Sequence, residues 1–236
     1  MTKNPVMTIG DYIDLEKLPV VPKERFVVSG YSTGLASFDE AIDGIRNELI
    51  AVASRPGAGK TALLLYVAEA LAARGIPGVF FTLELKGSAF ANRALAHSGD
   101  YRATKALPIV VEDGLSCIAD IAGRLRELKK EGLAQWAMID YLGLMRATDE
   151  TKPAKDQYRE IVAELAALRK ELEMPILFAV QLPRGSGETL PCIHDSTIDD
   201  NLVEFCDSIV VLSDCASTGL TRKWRDIELA ATKRDS

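Results

Sequence analysis

Cysteine and histidine are scarce in this chain, and neither forms a pattern that holds a metal. The 236 residues include four cysteines and two histidines, and no two cysteines have C-x-x-C spacing. These features indicate neither a zinc site nor a disulfide framework. A chain of this length also buries a substantial core without covalent staples. We therefore expect a protein of a reduced, cytoplasmic compartment.

Long apolar runs and an excess of positive charge are missing as well. No stretch approaches the length of a membrane span, and the first residues lack the apolar core of a signal peptide, so we expect a cytosolic protein without membrane contact. The formal net charge of −6 gives no general attraction for nucleic acid, so any such binding must come from a local basic patch. Hydrophobic content of 47% with 26% charged residues is ordinary for a soluble enzyme.

Apolar runs of strand length alternate with amphipathic helical patterns along most of the chain. This alternation predicts an α/β domain with a largely parallel central sheet, flanking helices and a C-terminal hairpin. We expect strands at 48–53, 78–83, 108–111, 135–139, 175–180, 209–212 and 227–231, the last two forming the hairpin. We expect helices near 60–74, 87–97, 116–131 and 155–173.

Residues 1–30 differ in character from the rest of the chain. They contain several prolines and a short apolar stripe that includes Ile9, Tyr12 and Ile13. We interpret them as an arm whose apolar stripe needs a docking surface. That surface belongs either to the same domain or to a neighbouring subunit, because a helix in a groove is a common mode of recognition.

The segment from Arg55 to Thr61 reads R-P-G-A-G-K-T and stands between an apolar strand and a helical pattern. That layout is typical of a phosphate-binding P-loop. Its glycines let backbone N–H groups curl around phosphates, Lys60 reaches the outer phosphates, and Thr61 offers its hydroxyl to Mg²⁺. Ser54 occupies the place of the first glycine of the strict pattern, and we treat it as a small-residue variant. The predicted nucleotide-binding residues are Ser54, Arg55, Pro56, Gly57, Ala58, Gly59, Lys60 and Thr61.

Three polar residues end predicted strands at the edge of the sheet where this loop lies. We assign Asp140 to the metal shell, since ligands of open α/β sheets bind at the carboxyl ends of the strands. Glu84 stands where a carboxylate orients or deprotonates the attacking water. Gln181 is placed to hydrogen-bond the γ-phosphate or that water. Together the three strand ends predict a hydrolytic site beside the P-loop.

Several short blocks occur in a characteristic order: Tyr31 to Leu35 with Phe38-Asp39, the P-loop, Leu83-Glu84, Ile139 to Met145, and Gln181 to Gly185. In this order they resemble the RecA-like motor domain of DnaB-type replicative helicases, over about residues 28–236. The resemblance implies a RecA-like P-loop NTPase fold, with 1–30 as an arm and 31–236 as the ATPase domain. In such enzymes a small residue at the Ser54 position is usual.

The resemblance also implies cofactors, an assembly and roles for particular residues. ATP and Mg²⁺ would be bound, with Asp140 in the metal shell, Glu84 as the catalytic base and Gln181 as the γ-phosphate sensor. The implied assembly is a homo-oligomer, a ring hexamer with ATP at the subunit boundaries. The basic pair Lys233 and Arg234 on the closing strand would reach into the neighbouring site, with Arg234 as an arginine finger acting in trans.

Single-stranded DNA is the implied partner. The loop expected to hold its phosphates, near residues 195–201, carries Asp199 and Asp200, and acidic side chains repel phosphate. The remaining candidates for contact with DNA are Arg184, Arg146, Lys152 and Lys155.

Three functions stay open at this point. The first is a DnaB-type helicase motor that hydrolyses ATP and translocates on single-stranded DNA, which the blocks after Asp140 and Gln181 favour. The second is a KaiC-like or RecA-like ATPase that acts as a regulatory or assembly scaffold without unwinding DNA. The third is a ring member that binds nucleotide without turnover. The acidic loop near 195–201 favours the second and the third.

Overall fold

A single sheet of seven strands organises the part of the chain that this computed structural model describes, residues 30–182, 200–214 and 227–233. In chain order the strands are β1 (Leu49–Ser54), β2 (Gly78–Thr82), β3 (Ile109–Glu112), β4 (Ala137–Asp140), β5 (Ile176–Gln181), β6 (Ser208–Asp214) and β7 (Ile227–Lys233). They stand side by side as β3-β2-β4-β5-β1-β6-β7, all parallel except β7, which is antiparallel to β6. The predicted α/β fold, its largely parallel sheet and its C-terminal strand pair are confirmed.

Seven α-helices accompany the sheet in these same ranges, and four of them were predicted. The bounds are α1 (Ala36–Ile42), α2 (Lys60–Ala72), α3 (Gly87–Ser98), α4 (Tyr101–Lys105), α5 (Ile118–Lys130), α6 (Ala154–Leu172) and α7 (Asp200–Phe205), with a 3₁₀ turn at Leu142–Leu144. The sequence pattern missed α1, α4 and α7, because helices of five to seven residues are too short to show an apolar repeat. None of the helices in the described residues is both long enough and apolar enough to cross a membrane.

One prediction about the segment near 195–201 needs correction. Asp200 and Asn201 begin helix α7 and do not form part of a loop, while 195–199 lie outside the described residues. The helix is stabilised because Leu202 is buried and because Arg159 of α6 donates a hydrogen bond to the Asn201 Oδ1 atom at 3.2 Å. Arg159 also forms an ion pair with Glu204. The acidic Asp200 is therefore fixed on a helix that is anchored to α6.

Two hydrophobic cores cover the two faces of the sheet. Side chains of β1 alternate between them, with Leu49 in one core and Ile50 in the other. The first core takes the apolar faces of α5 and α6, and the second takes those of α2 and α3. Because both faces are covered, the strands are apolar throughout, as expected for a parallel sheet.

The close approach of Gly78 to Trp136 shows how tightly the second core is packed. A Cβ atom on Gly78 would lie 2.1 Å from the Cδ2 atom of the fully buried Trp136 indole. The indole Nε1 donates a hydrogen bond to the Ile76 carbonyl at 3.0 Å, which fixes the ring in place. Glycine is therefore required at the start of β2 by packing.

The strand register decides which side chains meet at the carboxyl edge of the sheet. Ser54, the last residue of β1, lies between Gln181 of β5 and Leu212 of β6. Thr82, the last residue of β2, is paired with Asp140 of β4. The residues that follow β1, β2, β4 and β5 therefore leave the sheet at the same edge.

Candidate nucleotide-binding site

The loop between β1 and α2 has the backbone conformation of a phosphate cradle. Gly57 and Gly59 have φ angles of 81° and 101°, in the left-handed region that favours glycine. Among the residues that the structure describes, none beyond its two chain neighbours has an atom within 4 Å of a Cβ atom built on Gly57. Gly59 is the N-cap of α2 and supplies no side-chain cap, so the first N–H groups of the helix are available for an anion.

Lys60 is the first residue of α2, and its side chain lies across the loop. Its Nζ atom donates to Ser54 Oγ at 3.0 Å and to the carbonyl oxygens of Ser54 and Arg55 at 3.3 Å each. Only 8% of the residue is exposed. Burial lowers the pKa of the Lys60 ammonium, and the nearby negative charges of Asp140 and Glu84 oppose that shift. The ammonium is thus held beside two carboxylates at the mouth of the cradle.

Asp140 ends β4 as a buried carboxylate beside the P-loop. Only 1% of the residue is exposed, and among the residues that the structure describes its Oδ2 atom has no hydrogen-bond partner. Burial raises the pKa of Asp140, a hydrogen bond from the Thr61 hydroxyl opposes the rise, and the charge of Glu84 adds to it. An orphaned carboxylate oxygen with a threonine hydroxyl beside it is a pair of hard oxygen donors. Such a pair suits a divalent cation.

Glu84 stands on a turn that is fixed at both ends. The Thr82 hydroxyl donates to the Leu85 carbonyl at 3.0 Å and accepts from the Leu85 N–H at 3.2 Å, which closes the turn. The Leu83 N–H donates to the Asp140 carbonyl at 2.8 Å. Glu84 is exposed to solvent, and its charge acts on both Lys60 and Asp140. The predicted second carboxylate therefore lies at the same edge as the first.

Gln181 is the exposed last residue of β5, directly beside Ser54 in the register. The following residue, Leu182, donates its N–H to the Ser54 carbonyl at 2.8 Å. This bond extends the β1–β5 pairing one residue past the strand and fixes Gln181 next to the P-loop. Gln181 therefore lies at the same edge of the sheet as Asp140 and Glu84.

A match to a family profile identifies the protein family of this chain. The profile of the DnaB-like helicase C terminal domain matches residues 30–106 and 99–191, which together are more than half of the chain. The chain belongs to this family. The resemblance drawn from the short sequence blocks is confirmed.

Curated relatives are similar along most of this chain. It is 32% identical to the replicative DNA helicase DnaB of Helicobacter pylori in an alignment of 224 positions that covers 80% of this chain and 45% of the relative. It is 26% identical to the DnaB of Leifsonia xyli subsp. xyli, and that alignment covers 86% of this chain and 52% of the relative. The chain therefore spans about half the length of the curated relatives that it matches.

Two solved structures share the fold. One is the structure of an ATPase domain, which gives a TM-score of 0.64 at 19% identity, with 79% of this chain and 77% of that chain covered. The other is a DnaB-like replicative helicase, solved in a study of its interactions with primase, which gives 0.67 at 18% identity, with 86% and 59% covered. At these identities the likeness concerns the RecA-like fold of the family.

The charge of Arg93 acts on Asp140, although no sequence pattern pointed to it. It lies on the exposed side of α3, whose opposite side buries Phe90, Ala91 and Ala94. Burial raises the pKa of Asp140, and the positive charge of Arg93 works against that rise. An exposed arginine on an amphipathic helix has no distinguishing mark in the sequence. Only the packing of α3 against the sheet brings its charge near Asp140.

Three of the four residues predicted to contact DNA lie in the part of the chain that the structure describes. Arg146 is exposed and forms a 2.9 Å ion pair with Glu150, and Lys152 forms a 2.7 Å ion pair with Glu160. Lys155 is exposed in the first turn of α6. Arg184 lies outside the described residues. Two of the four predicted cations therefore have their charge balanced locally by glutamates.

The backbone of Lys233 lies at the opposite edge of the sheet from the P-loop. Lys233 pairs with Ser208 at the start of β6, and Ser208 is level with Ile50 of β1. Ser54 is four residues further along β1, roughly 13 Å away at about 3.3 Å per residue. Arg234, the expected arginine finger, lies outside the described residues. In this family member the closing strand runs away from the chain's own nucleotide site.

Proposed function

We propose that this chain is the ATP-hydrolysing motor domain of a DnaB-type helicase that forms a ring and moves along single-stranded DNA. The observation that carries the proposal is the meeting of Lys60, Thr61, Asp140 and Glu84 at one edge of the sheet. A phosphate cradle, a pair of hard oxygen donors and a second carboxylate are the parts that NTP hydrolysis needs. The curated relatives, which are named replicative DNA helicases, supply the biological context.

The residues at the end of β4 fit a magnesium ion. Mg²⁺ is usually held by one or two carboxylates together with the phosphates of a substrate. Asp140, whose Oδ2 atom has no partner among the described residues, and Thr61, whose hydroxyl works to lower the pKa of the same carboxyl, would hold it here. When bound, the ion neutralises charge that develops on the phosphates. The cofactors proposed for this chain are therefore ATP and Mg²⁺.

The chain's own residues divide the remaining work. The loop N–H groups and Lys60 bind the phosphates, and the fixed turn at 82–85 holds the Glu84 carboxylate where it accepts a proton from the attacking water. Gln181, fixed beside Ser54, hydrogen-bonds the γ-phosphate or the water. Arg93 adds a positive charge close to Asp140, where phosphate charge accumulates.

We assign the arginine finger to a neighbouring subunit. Lys233, which precedes Arg234 in the sequence, ends β7 at the edge of the sheet away from the P-loop. A finger acting in trans puts each ATP at a subunit boundary and requires a homo-oligomer, for which a hexameric ring is the proposed form. We further propose that 31–236 is the ATPase domain, that 1–30 is an arm, and that the protein works in the cytoplasm.

A strand-displacement assay tests the helicase function directly. Wild-type protein should release the labelled strand of a forked DNA only when ATP and Mg²⁺ are present, and single-stranded DNA should stimulate ATP hydrolysis. Lys60→Ala and Glu84→Gln are the matched controls, because both should abolish displacement while the first also loses nucleotide binding. ATP hydrolysis that ignores DNA, together with absent displacement, would contradict the helicase function.

A second candidate is a KaiC-like or RecA-like ATPase that serves as a scaffold. The observation that favours it is the local neutralisation of Arg146 and Lys152 by Glu150 and Glu160, together with the acidic Asp200 at the start of α7. A surface of this kind offers little attraction for a phosphate backbone. The scaffold function predicts ATP hydrolysis and ring assembly without any response to DNA.

A further inference from the structure

Ser54 occupies the position of the first P-loop glycine, and its side chain is part of the site. The residue is fully buried at the end of β1, between Gln181 and Leu212 in the register. Glycine at this position would have no side chain to offer. The Ser54 hydroxyl is therefore an addition that the minimal phosphate loop does not require.

Three oxygen atoms take up the donors of the Lys60 ammonium in this structure. They are Ser54 Oγ at 3.0 Å, the Ser54 carbonyl at 3.3 Å and the Arg55 carbonyl at 3.3 Å. A lysine ammonium has three N–H donors, so these contacts match its full capacity. Phosphate oxygens can be engaged only if Lys60 releases at least one of these partners.

Each of the three oxygen atoms keeps another hydrogen-bond partner when Lys60 leaves. The Ser54 carbonyl also accepts from the Leu182 N–H at 2.8 Å. The Arg55 carbonyl also accepts from the Ser54 hydroxyl at 2.9 Å, so the hydroxyl itself retains a bond. The Ala58 N–H gives the Arg55 carbonyl a further donor at 3.3 Å. Moving Lys60 away therefore leaves none of these buried oxygens unpaired, so the release of Lys60 costs the three bonds themselves but not the larger penalty of an unpaired buried oxygen.

We propose that the Ser54 hydroxyl is a positioning group for Lys60: it accepts a hydrogen bond from the ammonium in the nucleotide-free protein, and Lys60 gives up this bond when it contacts the phosphates of the nucleotide. The hydroxyl stabilises the nucleotide-free protein, because Lys60 bonds to it only until a phosphate oxygen becomes the acceptor instead. This rests on the proposed function of Lys60 as the phosphate-binding lysine. It follows that the Ser54 hydroxyl weakens nucleotide binding and keeps the P-loop ordered in the nucleotide-free protein.

Ser54→Ala tests this by removing one oxygen atom. The dissociation constants of ADP and of a non-hydrolysable ATP analogue, measured calorimetrically with Mg²⁺, should fall about three- to tenfold, the range of one modest hydrogen bond. The melting temperature of the empty protein should fall, while that of the nucleotide-saturated protein stays close to the wild-type value. A purely structural role would lower both melting temperatures equally and leave the dissociation constants unchanged.

Three further variants make the result unambiguous. Ser208→Ala removes another buried serine hydroxyl, which donates to Glu48, the residue before β1, at the far edge of the sheet, and should leave nucleotide affinity unchanged. Ser54→Thr keeps the hydroxyl and should retain wild-type affinity. Ser54→Gly lacks the hydroxyl and should bind more tightly than wild type, as Ser54→Ala does.

The outcomes separate this inference from the function on which it rests. Unchanged or weaker nucleotide binding by Ser54→Ala and Ser54→Gly, with Lys60→Ala unable to bind, would overturn the role of Ser54 alone. Normal nucleotide binding by Lys60→Ala would overturn the role assigned to Lys60, and with it the role proposed for Ser54. Tighter binding by both hydroxyl-free variants, with wild-type affinity in Ser54→Thr, supports the proposal.

Discussion

His97 Nδ1 and Glu69 Oε2 lie 2.5 Å apart and join the last turn of α3 to the P-loop helix α2. The His97 ring also meets the Tyr66 ring edge to face, with 5.5 Å between the centroids. The glutamate is only 12% exposed, and among the described residues its Oε1 atom has no hydrogen-bond partner, so the contact with His97 is the main interaction that offsets its burial. The pair links the helix that follows the Glu84 turn to the helix that begins with Lys60.

This contact predicts a pH-dependent stability. The hydrogen bond to Glu69 raises the pKa of His97, with burial opposing it, and burial raises the pKa of Glu69, with His97 opposing it. A folded-state pKa above the unfolded value stabilises the protein at low pH, and this stabilisation is lost as the pH rises through the folded pKa. For His97 the loss starts near the ordinary histidine pKa of 6.5. Urea unfolding from about pH 6 to pH 8 should therefore show a larger decline in wild type than in His97→Gln, and parallel curves would contradict it.

The Gly78–Trp136 contact predicts a large effect from one methyl group. Gly78→Ala should lower the free energy of unfolding by about 1–3 kcal/mol, since the new Cβ overlaps a buried indole that cannot move away freely. Gly123→Ala is the matched control. Its Cβ would meet nothing within 4 Å on helix α5, so it should raise stability by about 0.5–1 kcal/mol. Chemical denaturation of both variants measures the two effects, and equal effects would contradict the packing argument.

Separate roles for Lys60 and Glu84 predict separable defects. Lys60→Ala should lose ATP binding, because the ammonium is the cation placed at the cradle. Glu84→Gln should still bind ATP but turn it over about 10²- to 10⁴-fold more slowly, the usual contribution of a general base. Binding by calorimetry and turnover by phosphate release measure both. Glu131→Gln, an exposed glutamate at the end of α5, should behave as wild type. Wild-type turnover by Glu84→Gln would remove Glu84 from this role.

Action of Arg234 in trans predicts complementation between two inactive proteins. In an equal mixture of Arg234→Ala and Lys60→Ala, about a quarter of the boundaries would combine an intact loop with an intact finger, if the subunits assemble at random around a ring. The mixture should therefore regain part of the wild-type ATPase rate. A mixture of Lys60→Ala with the Lys60→Ala, Arg234→Ala double variant should stay inactive. No recovery in a mixture shown to co-assemble would place Arg234 outside the neighbouring site.

Local ion pairs predict a ranking among the four candidate DNA contacts. Lys152 is engaged by Glu160, so Lys152→Ala should change the affinity for single-stranded DNA little. Arg184→Ala should weaken binding and lower the slope of log affinity against log salt concentration by about 0.7, the value for one phosphate contact on a single strand. Fluorescence anisotropy at several salt concentrations, with a non-hydrolysable ATP analogue, measures both. Equal slopes for Arg184→Ala and wild type would remove Arg184 from the DNA interface.

The sequence by itself determined the elements whose signals are local. Strands buried on both faces show as short apolar runs, and helices of twelve residues or more show a repeat, so all seven strands and α2, α3, α5 and α6 were predicted. The P-loop and the strand-end positions of Asp140 and Gln181 followed in the same way, whereas β2 ends at Thr82 and Glu84 lies on the turn that follows it. In a parallel sheet the strand ends share an edge, which is why linear order was enough to bring these residues together.

The tertiary structure decided the relations between residues that are distant in sequence. The charge of Arg93 acts on Asp140 only because α3 packs on the sheet, where Phe90 contacts Phe80 of β2, and His97 meets Glu69 only because α3 lies against α2. The antiparallel register that carries Lys233 to the far edge depends on pairing between β6 and β7. Such contacts depend on how elements pack, whereas a sequence pattern reports only which face of each element is apolar. The sequence therefore contained the parts of the nucleotide site, and packing alone determined which charges surround it.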